Sequence, residues 1–430
     1  MINVRKIVFD SLMEIETGKK SHLVIRQVLD KYDYLSTADK NFIKRLTEGT
    51  IQKRICLDYA INLFSEKEVD KLKPAIRQIL RMGVYQILFM DRVPDASACD
   101  EAVKLVRTES RSEFVGFVNA ILRNVSKNKE KCLDYSVIED TVKRLSIQYS
   151  TPEWIVRMFI KEKLCVSELL EAFEKIRPTC VRIRMPEKKE EILSKWHLAG
   201  VEFTESRYIE NVYLVDGFAG AGELYGFDEG YLYLQDESSM ICVKKAVENL
   251  PKNPLIIDLC AAPGGKSIFA SDLLEGNCQV KAFDVSEGKV RLISENIERM
   301  HIDCITSEVG DATVCNESLV GKADLVIADV PCSGLGVIGR KSDIKYNVSN
   351  ELMRDLCALQ KSIVDNAVKY VKPGGVLMYS TCTIHKAENE KMVKYVIENY
   401  PEFSLEYEHQ LLPYVEETDG FFMARLRKKD

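Results

Sequence analysis

No apolar run in these 430 residues approaches the roughly 20 needed to span a membrane, and the N-terminus lacks the basic, apolar and small-residue succession of a secretory leader. Those absences point to a cytoplasmic protein with no membrane partner. Thirteen cysteines are present, yet without the paired spacing of a disulfide framework or of a zinc site. Reduced, mostly buried thiols and no metal are therefore expected. Internal repeats and low-complexity tracts are missing. So is the conspicuous aromatic interleaving that stacks single strands.

Charge is small in sum and uneven in place. The net charge of −6 argues against indiscriminate coating of nucleic acid, but residues 1–150 hold 26 Lys and Arg against 21 Asp and Glu, while the other 280 hold 34 against 45. A basic module ahead of an acidic one suggests that the first meets a polyanion. Candidate contacts are Arg45, Lys53, Arg54, Arg123 and Lys127, although basic residues on helices are usually just solvated.

Apolar spacing organises the chain. Up to about residue 130 it is helical throughout: Ile7, Val8, Leu12 and Ile15, then Ile76, Ile79, Leu80 and Val84, then Val118, Ile121, Leu122 and Val125. Five to seven amphipathic helices on short loops predict a compact bundle over 1–130. Residues 131–240 read as a linker and a small α+β domain, with strands TCVRIRM and NVYLV around a helix in a βαβ-type pattern. From 241 the pattern is strand and helix in turn, predicting a doubly wound α/β domain over 241–430 with ligands at the carboxyl ends of its strands. The expected fold class is multidomain: an all-α bundle, a small α+β domain and an α/β Rossmann-like domain.

The first strand of that third part, PLIIDLC, runs into AAPGGK. A phosphate loop requires glycine at position 260, where Cys260 stands, and no G-x-G-x-x-G follows the strand. What remains is a close-approach loop, Cys260, Ala261, Ala262, Pro263, Gly264, Gly265 and Lys266, with Asp258 at the strand end. Asp284 ends the second strand, Asp311 lies in GDAT after the third, and Asp329 ends the fourth, so all are expected to face one crevice. Acids so placed suit a ribose diol and an adenine amino group, and with no pyrophosphate site they point to S-adenosylmethionine.

These residues carry a resemblance. DLCAAPGGKS, AFDVSEGKV, GDAT, ADVPCSGLG and YSTCTIHKAENE together resemble the RNA cytosine carbon-5 methyltransferase family, the group related to Sun and RsmB. TADKNFIKRLTEGTIQKRICLD, LRMGVYQILFMDRVP and FVNAILRNV resemble a NusB-type RNA-binding domain. The resemblance implies an S-adenosylmethionine-dependent enzyme, expected to be a monomer, that methylates carbon 5 of a single-stranded or loop cytosine in 16S rRNA, of the cytosine-967 type, with no DNA substrate. Carbon 5 of cytosine is a poor nucleophile until a thiolate adds to carbon 6.

Two cysteines are candidates for that thiolate. Cys332 stands three residues from Asp329, which should raise its thiol pKa, whereas Cys382 precedes a helix whose N-terminus favours the thiolate. The residues thus lean toward Cys382. The resemblance implies the same: Cys382 as nucleophile, Cys332 as helper of elimination, Asp329 holding the ring near N3, and Lys266 beside donor and base. By the same resemblance Lys289 faces the cofactor. The alternatives are cytosine methylation of another RNA such as tRNA, an amino-group methyltransferase, and a non-catalytic NusB-like RNA-binding factor.

Overall fold

A computed structural model describes residues 3–109, 111–218 and 220–430 and groups them into two compact units, 3–174 with 341–347, and 175–340 with 348–430. These divisions differ from the expected ones at 130 and 240. Helices continue to Glu174, because Ile155, Val156 and Phe159 on one face of Glu153–Lys161 are fully buried.

The first unit is helical. Asn3 opens Val4–Glu16 by accepting from Arg5 N at 3.0 Å, and Ser36 opens Thr37–Gln52 by accepting from Asp39 N at 3.1 Å. Pro74–Phe89 begins on a proline that needs no amide partner there, and it is buried along nearly its whole length. Gly49 is required on the neighbouring helix because the Tyr85 ring fills the space of a Cβ. Residues 341–347 arrive from far along the chain. Tyr346 donates to Ser150 O at 2.8 Å, and Lys345 donates to Gln52 O at 3.0 Å. Burial pushes the Lys345 ammonium down to about 7. Two candidate RNA contacts are engaged inside this unit: Lys53 pairs with Glu174 at 2.5 Å, and the Arg54 guanidinium lies over the Tyr346 ring.

The second unit holds two sheets. The smaller is antiparallel, in the order Glu202–Glu205, Val212–Asp216, Thr179–Ile183, Leu232–Leu234, and has one strand more, between the helix and Val212, than the expected βαβ-type pattern. The added strand is Glu202–Glu205. Three of its four side chains are exposed, Phe203 on Trp196 is its one apolar signal, and it turns the chain back before Val212. The larger sheet runs Phe403–Leu411, Phe421–Lys428, Val371–Thr381, Ala323–Asp329, Leu255–Asp258, Gln279–Asp284, Ile305–Val309. Its last five strands in that order are parallel, and the first two close one edge antiparallel.

Register decides what this sheet displays. Asp258 pairs with Ile327 and Asp329 with Ser380, so the chain leaves the sheet on one side at both ADVPC and YSTC. Cysteines 50 positions apart in sequence are thereby delivered to adjacent loops. Residues 325–328 of the central strand are apolar and fully buried, and Leu325→Ala is expected to cost about 2–5 kcal/mol. Denaturant midpoints check this; a loss under about 1 kcal/mol would mean that the strand is not the core assigned here.

Candidate active site

After Leu255–Asp258 the chain turns through 259–264 into the helix Gly265–Leu273. Gly264 takes φ +104, a left-handed conformation that a side chain resists, and a Cβ on Gly265 would press on Tyr233 at 3.0 Å and Gln235 at 3.2 Å. A cleft of about 220 Å³ results, lined by Tyr233, Gln235, Ser239, Asp258, Cys260, Ala261, Ala262, Pro263, Gly265, Lys266 and Asp329.

Asp258 is fully buried and accepts from Ser267 Oγ at 2.7 Å, while its Oδ1 has no hydrogen-bond partner. Burial pushes the carboxyl from its ordinary 3.8 up to about 7, against the Ser267 hydrogen bond and the Lys266 charge. Gln235 Oε1 is a second buried acceptor without a partner in this lining. Orphaned acceptors around a cleft suit a ligand that brings its own donors or positive charge.

Lys266 is the cation of the site. Its Nζ lies 2.6 Å from Asp329 Oδ2 and 3.3 Å from Ser239 Oγ, with the Phe421 ring 5.2 Å away. Burial draws its pKa down, but Asp329 and Cys242 outweigh that, and the ammonium ends above its ordinary value. Ser380 Oγ donates to the other Asp329 oxygen at 2.8 Å. Ser239 and Ser380 escaped sequence reading; for Ser380 the signal was its register opposite Asp329.

The other acids do not all share this cleft. Asp284 accepts from Ala262 N at 3.1 Å and Val285 N at 2.8 Å and pairs with Lys289 at 3.0 Å, tying the glycine loop to the second strand. Asp311 lines a different cleft of about 370 Å³ with Leu259, Phe283 and Asn316. It accepts from Thr313 N and Oγ1 at 2.8 and 2.7 Å, which hold its carboxyl below the usual range. Gly310 packs on Phe283, and that contact carries GDAT to this second cleft.

Beyond Asp329 and Ser380 the two cysteines meet, with Cys332 Sγ 3.2 Å from Cys382 Sγ. Gly336 N donates to Cys382 O at 3.1 Å, and Gly420 N donates to Gly336 O at 2.9 Å. A Cβ on Gly336 would overlap the Gly420 carbonyl, so only glycine permits this approach. The Cys332 thiol is pushed up by its hydrogen bond to Cys382, by burial, and by the Cys382 and Glu388 charges. Asp329, the expected cause, is spent on Lys266 and Ser380. The helix after Cys382 also starts later than expected, at Glu390, because 383–389 forms irregular loop and turn instead.

Comparison with known proteins accords with this geometry. The family described as "16S rRNA methyltransferase RsmB/F" matches residues 246–427, and the NusB family matches residues 2–127. "Probable ribosomal RNA small subunit methyltransferase B" of Bacillus subtilis (strain 168) is 33% identical over 99% of both chains. This chain belongs to the RsmB/F methyltransferase family. A family relative, ribosomal RNA small subunit methyltransferase B of Cronobacter sakazakii, is 29% identical over 100% of this chain and 99% of its own. Among solved structures, that of PH0851 shares the fold with TM-score 0.82 and 23% identity, over 100% of this chain and 99% of that one. NSun6 of Pyrococcus horikoshii shares it over 65% of this chain and 97% of its own, with TM-score 0.56 and 22% identity.

In this RsmB/F member the buried Asp258 has a pH signature. Between 3.8 and about 7 the folded chain holds a proton that the unfolded chain has lost, so the stabilising term is full below 3.8 and fades as pH rises through about 7. Asp258→Asn cannot ionise. It should gain on the wild type by on the order of 3 kcal/mol between about pH 4 and pH 8. Denaturation across that range tests this, and parallel curves would contradict it.

Proposed function

We propose that this protein methylates carbon 5 of a cytosine in 16S rRNA, using S-adenosylmethionine and a transient bond between Cys382 and the base. The carrying observation is the approach of two sulfurs to 3.2 Å in the loops that follow Asp329 and Ser380. A base inside a helix is out of reach of such loops, so the target cytosine lies in a loop or is turned out of its stack at a cost of a few kcal/mol. The names of the relatives, ribosomal RNA small subunit methyltransferases, support the choice of RNA.

S-adenosylmethionine fits the donor set. Asp258, with an unpartnered oxygen, and the loop Cys260 to Lys266 suit its amino-acid part, Asp284 and Lys289 its ribose, and Asp311 its adenine. Pyrococcus horikoshii NSun6 was solved with SFG, an analogue of it, which supports the same assignment. When bound, the cofactor supplies an electrophilic methyl group on a sulfonium.

The chain does the rest. Cys382 as thiolate adds to carbon 6, and the electron pair of the 5,6 double bond makes carbon 5 nucleophilic. Asp329 orients the ring near N3, and the Lys266 ammonium that it holds offsets the negative charge that develops there. Once carbon 5 carries the methyl, its proton leaves to a base. The carbon 6–sulfur bond then breaks, the double bond re-forms and Cys382 regains its electron pair. Cys332, 3.2 Å away, assists that elimination.

Labelled methyl transfer to unmodified 16S rRNA tests the assignment. Cys382→Ala should lower turnover by at least about a thousandfold. Cys332→Ala should accumulate a slowly resolving protein–RNA adduct, visible as a shifted band on a denaturing gel. Turnover surviving in Cys382→Ala would remove covalent catalysis; preference for tRNA over 16S rRNA would move the substrate while leaving the chemistry.

A further inference from the structure

Consecutive residues on one turn hold the two cysteines, and they differ in charge. Glu388 and Asn389 are both fully buried. Glu388 Oε2 accepts from Ser333 N at 2.9 Å and from Gln360 Nε2 at 2.9 Å, and the same Gln360 nitrogen donates to Pro331 O at 2.9 Å. The residues on both sides of Cys332 are thus bound to Glu388, one directly and one through a side chain that is itself fully buried. Asn389 does the same for the other sulfur. Its Oδ1 accepts from Thr381 Oγ1 at 2.6 Å and its Nδ2 donates to Thr383 O at 3.0 Å, the two neighbours of Cys382. Ser333 and Thr383 then join hydroxyl to hydroxyl at 2.7 Å.

Both partners of Glu388 Oε2 are neutral N–H groups, and its Oε1 is buried with no hydrogen-bond partner. Glu388 is among the groups that push the Cys332 thiol up, whereas the side chain that holds the Cys382 neighbours is an amide without charge. Two thiols this close do not ionise together, so the first proton to leave comes from one or the other. We propose that Glu388 is a positioning residue which, besides fixing the Cys332 loop, directs the thiolate of the pair to Cys382 and keeps Cys332 as the thiol. Cys382 then releases its proton to solvent, and the Cys332 S–H donates to the sulfur left behind. The inference rests on reading Cys332 and Cys382 as the reactive pair.

Other titratable groups face Glu388 from the elements packed on it. Tyr379 on the strand Val371–Thr381 donates to the Glu388 main-chain oxygen at 2.6 Å. Cys357 on the helix Asn350–Tyr370 feels Glu388 together with Lys361 and Lys391, and Asp329 acts on Tyr379 from the neighbouring strand end. Each keeps its place in Glu388→Gln. That variant retains an oxygen for Ser333 N and Gln360 and replaces the ionisable group by a neutral amide.

Limited alkylation by iodoacetamide, read peptide by peptide by mass spectrometry, tests the proposal on the full chain without RNA or cofactor. It is thereby separate from any failure of the turnover assays. In the wild type, labelling of Cys382 should exceed that of Cys332, and Glu388→Gln should shrink the ratio by about tenfold, the effect of one pKa unit of charge interaction. A purely structural Glu388 would leave the ratio unmoved in this variant, and that result overturns the proposal. If Glu388→Gln does not fold, carbon-13 Cβ shifts of the two cysteines in the wild type decide: Cys382 ionising at lower pH than Cys332 supports the proposal, and the reverse order overturns it.

Discussion

The proposed chemistry depends on bringing two sulfur atoms to 3.2 Å without joining them. Strand register supplies the coarse placement, because Asp329 and Ser380 are partners at the ends of adjacent parallel strands. Close backbone contact supplies the fine placement: Gly336 passes Gly420 where no side chain fits, and it also binds the Cys382 carbonyl. The contact matters because packed interiors shift little; a methyl group forced in at Gly336 must move one cysteine loop away from the other.

Electrostatics divide the labour around that contact. Lys266 and Ser380 occupy Asp329, and Asp258, the other carboxyl lining this cleft, has a buried oxygen that lacks a partner. Burial without a partner is costly for a charge, and the group answers by holding its proton until about pH 7. A cationic ligand at the same cleft would reverse that balance. Affinity for such a ligand is thereby linked to proton release from this one side chain.

Much of this was legible in the sequence because the relevant signals are local. The alternation of strands and helices after 254, the glycine loop, and acids at strand ends each depend on residues near one another, and they located the cleft together with Lys266 and Asp329. Helical spacing located the bundle over 1–130, whereas the compact unit that contains it runs on to Glu174. Its missing piece, 341–347, is seven residues taken from within the catalytic part, and nothing in the spacing of KSDIKYN announces that Lys345 and Tyr346 are buried among helices. Glu388 lies in YSTCTIHKAENE, where a glutamate before a helix usually faces solvent; only its long-range bonds to Ser333 and Gln360 reveal a buried side chain. The same limit explains the misplaced cause for Cys332, because sequence distance to Asp329 says nothing about which partner Asp329 prefers.

The central claim concerns which sulfur becomes bonded to the pyrimidine. Wild-type protein incubated with S-adenosylmethionine and RNA containing 5-fluorocytosine, then digested and sequenced by tandem mass spectrometry, reports the modified residue directly. The nucleotide is predicted on the peptide containing Cys382; its appearance on Cys332, or on neither, would contradict the account.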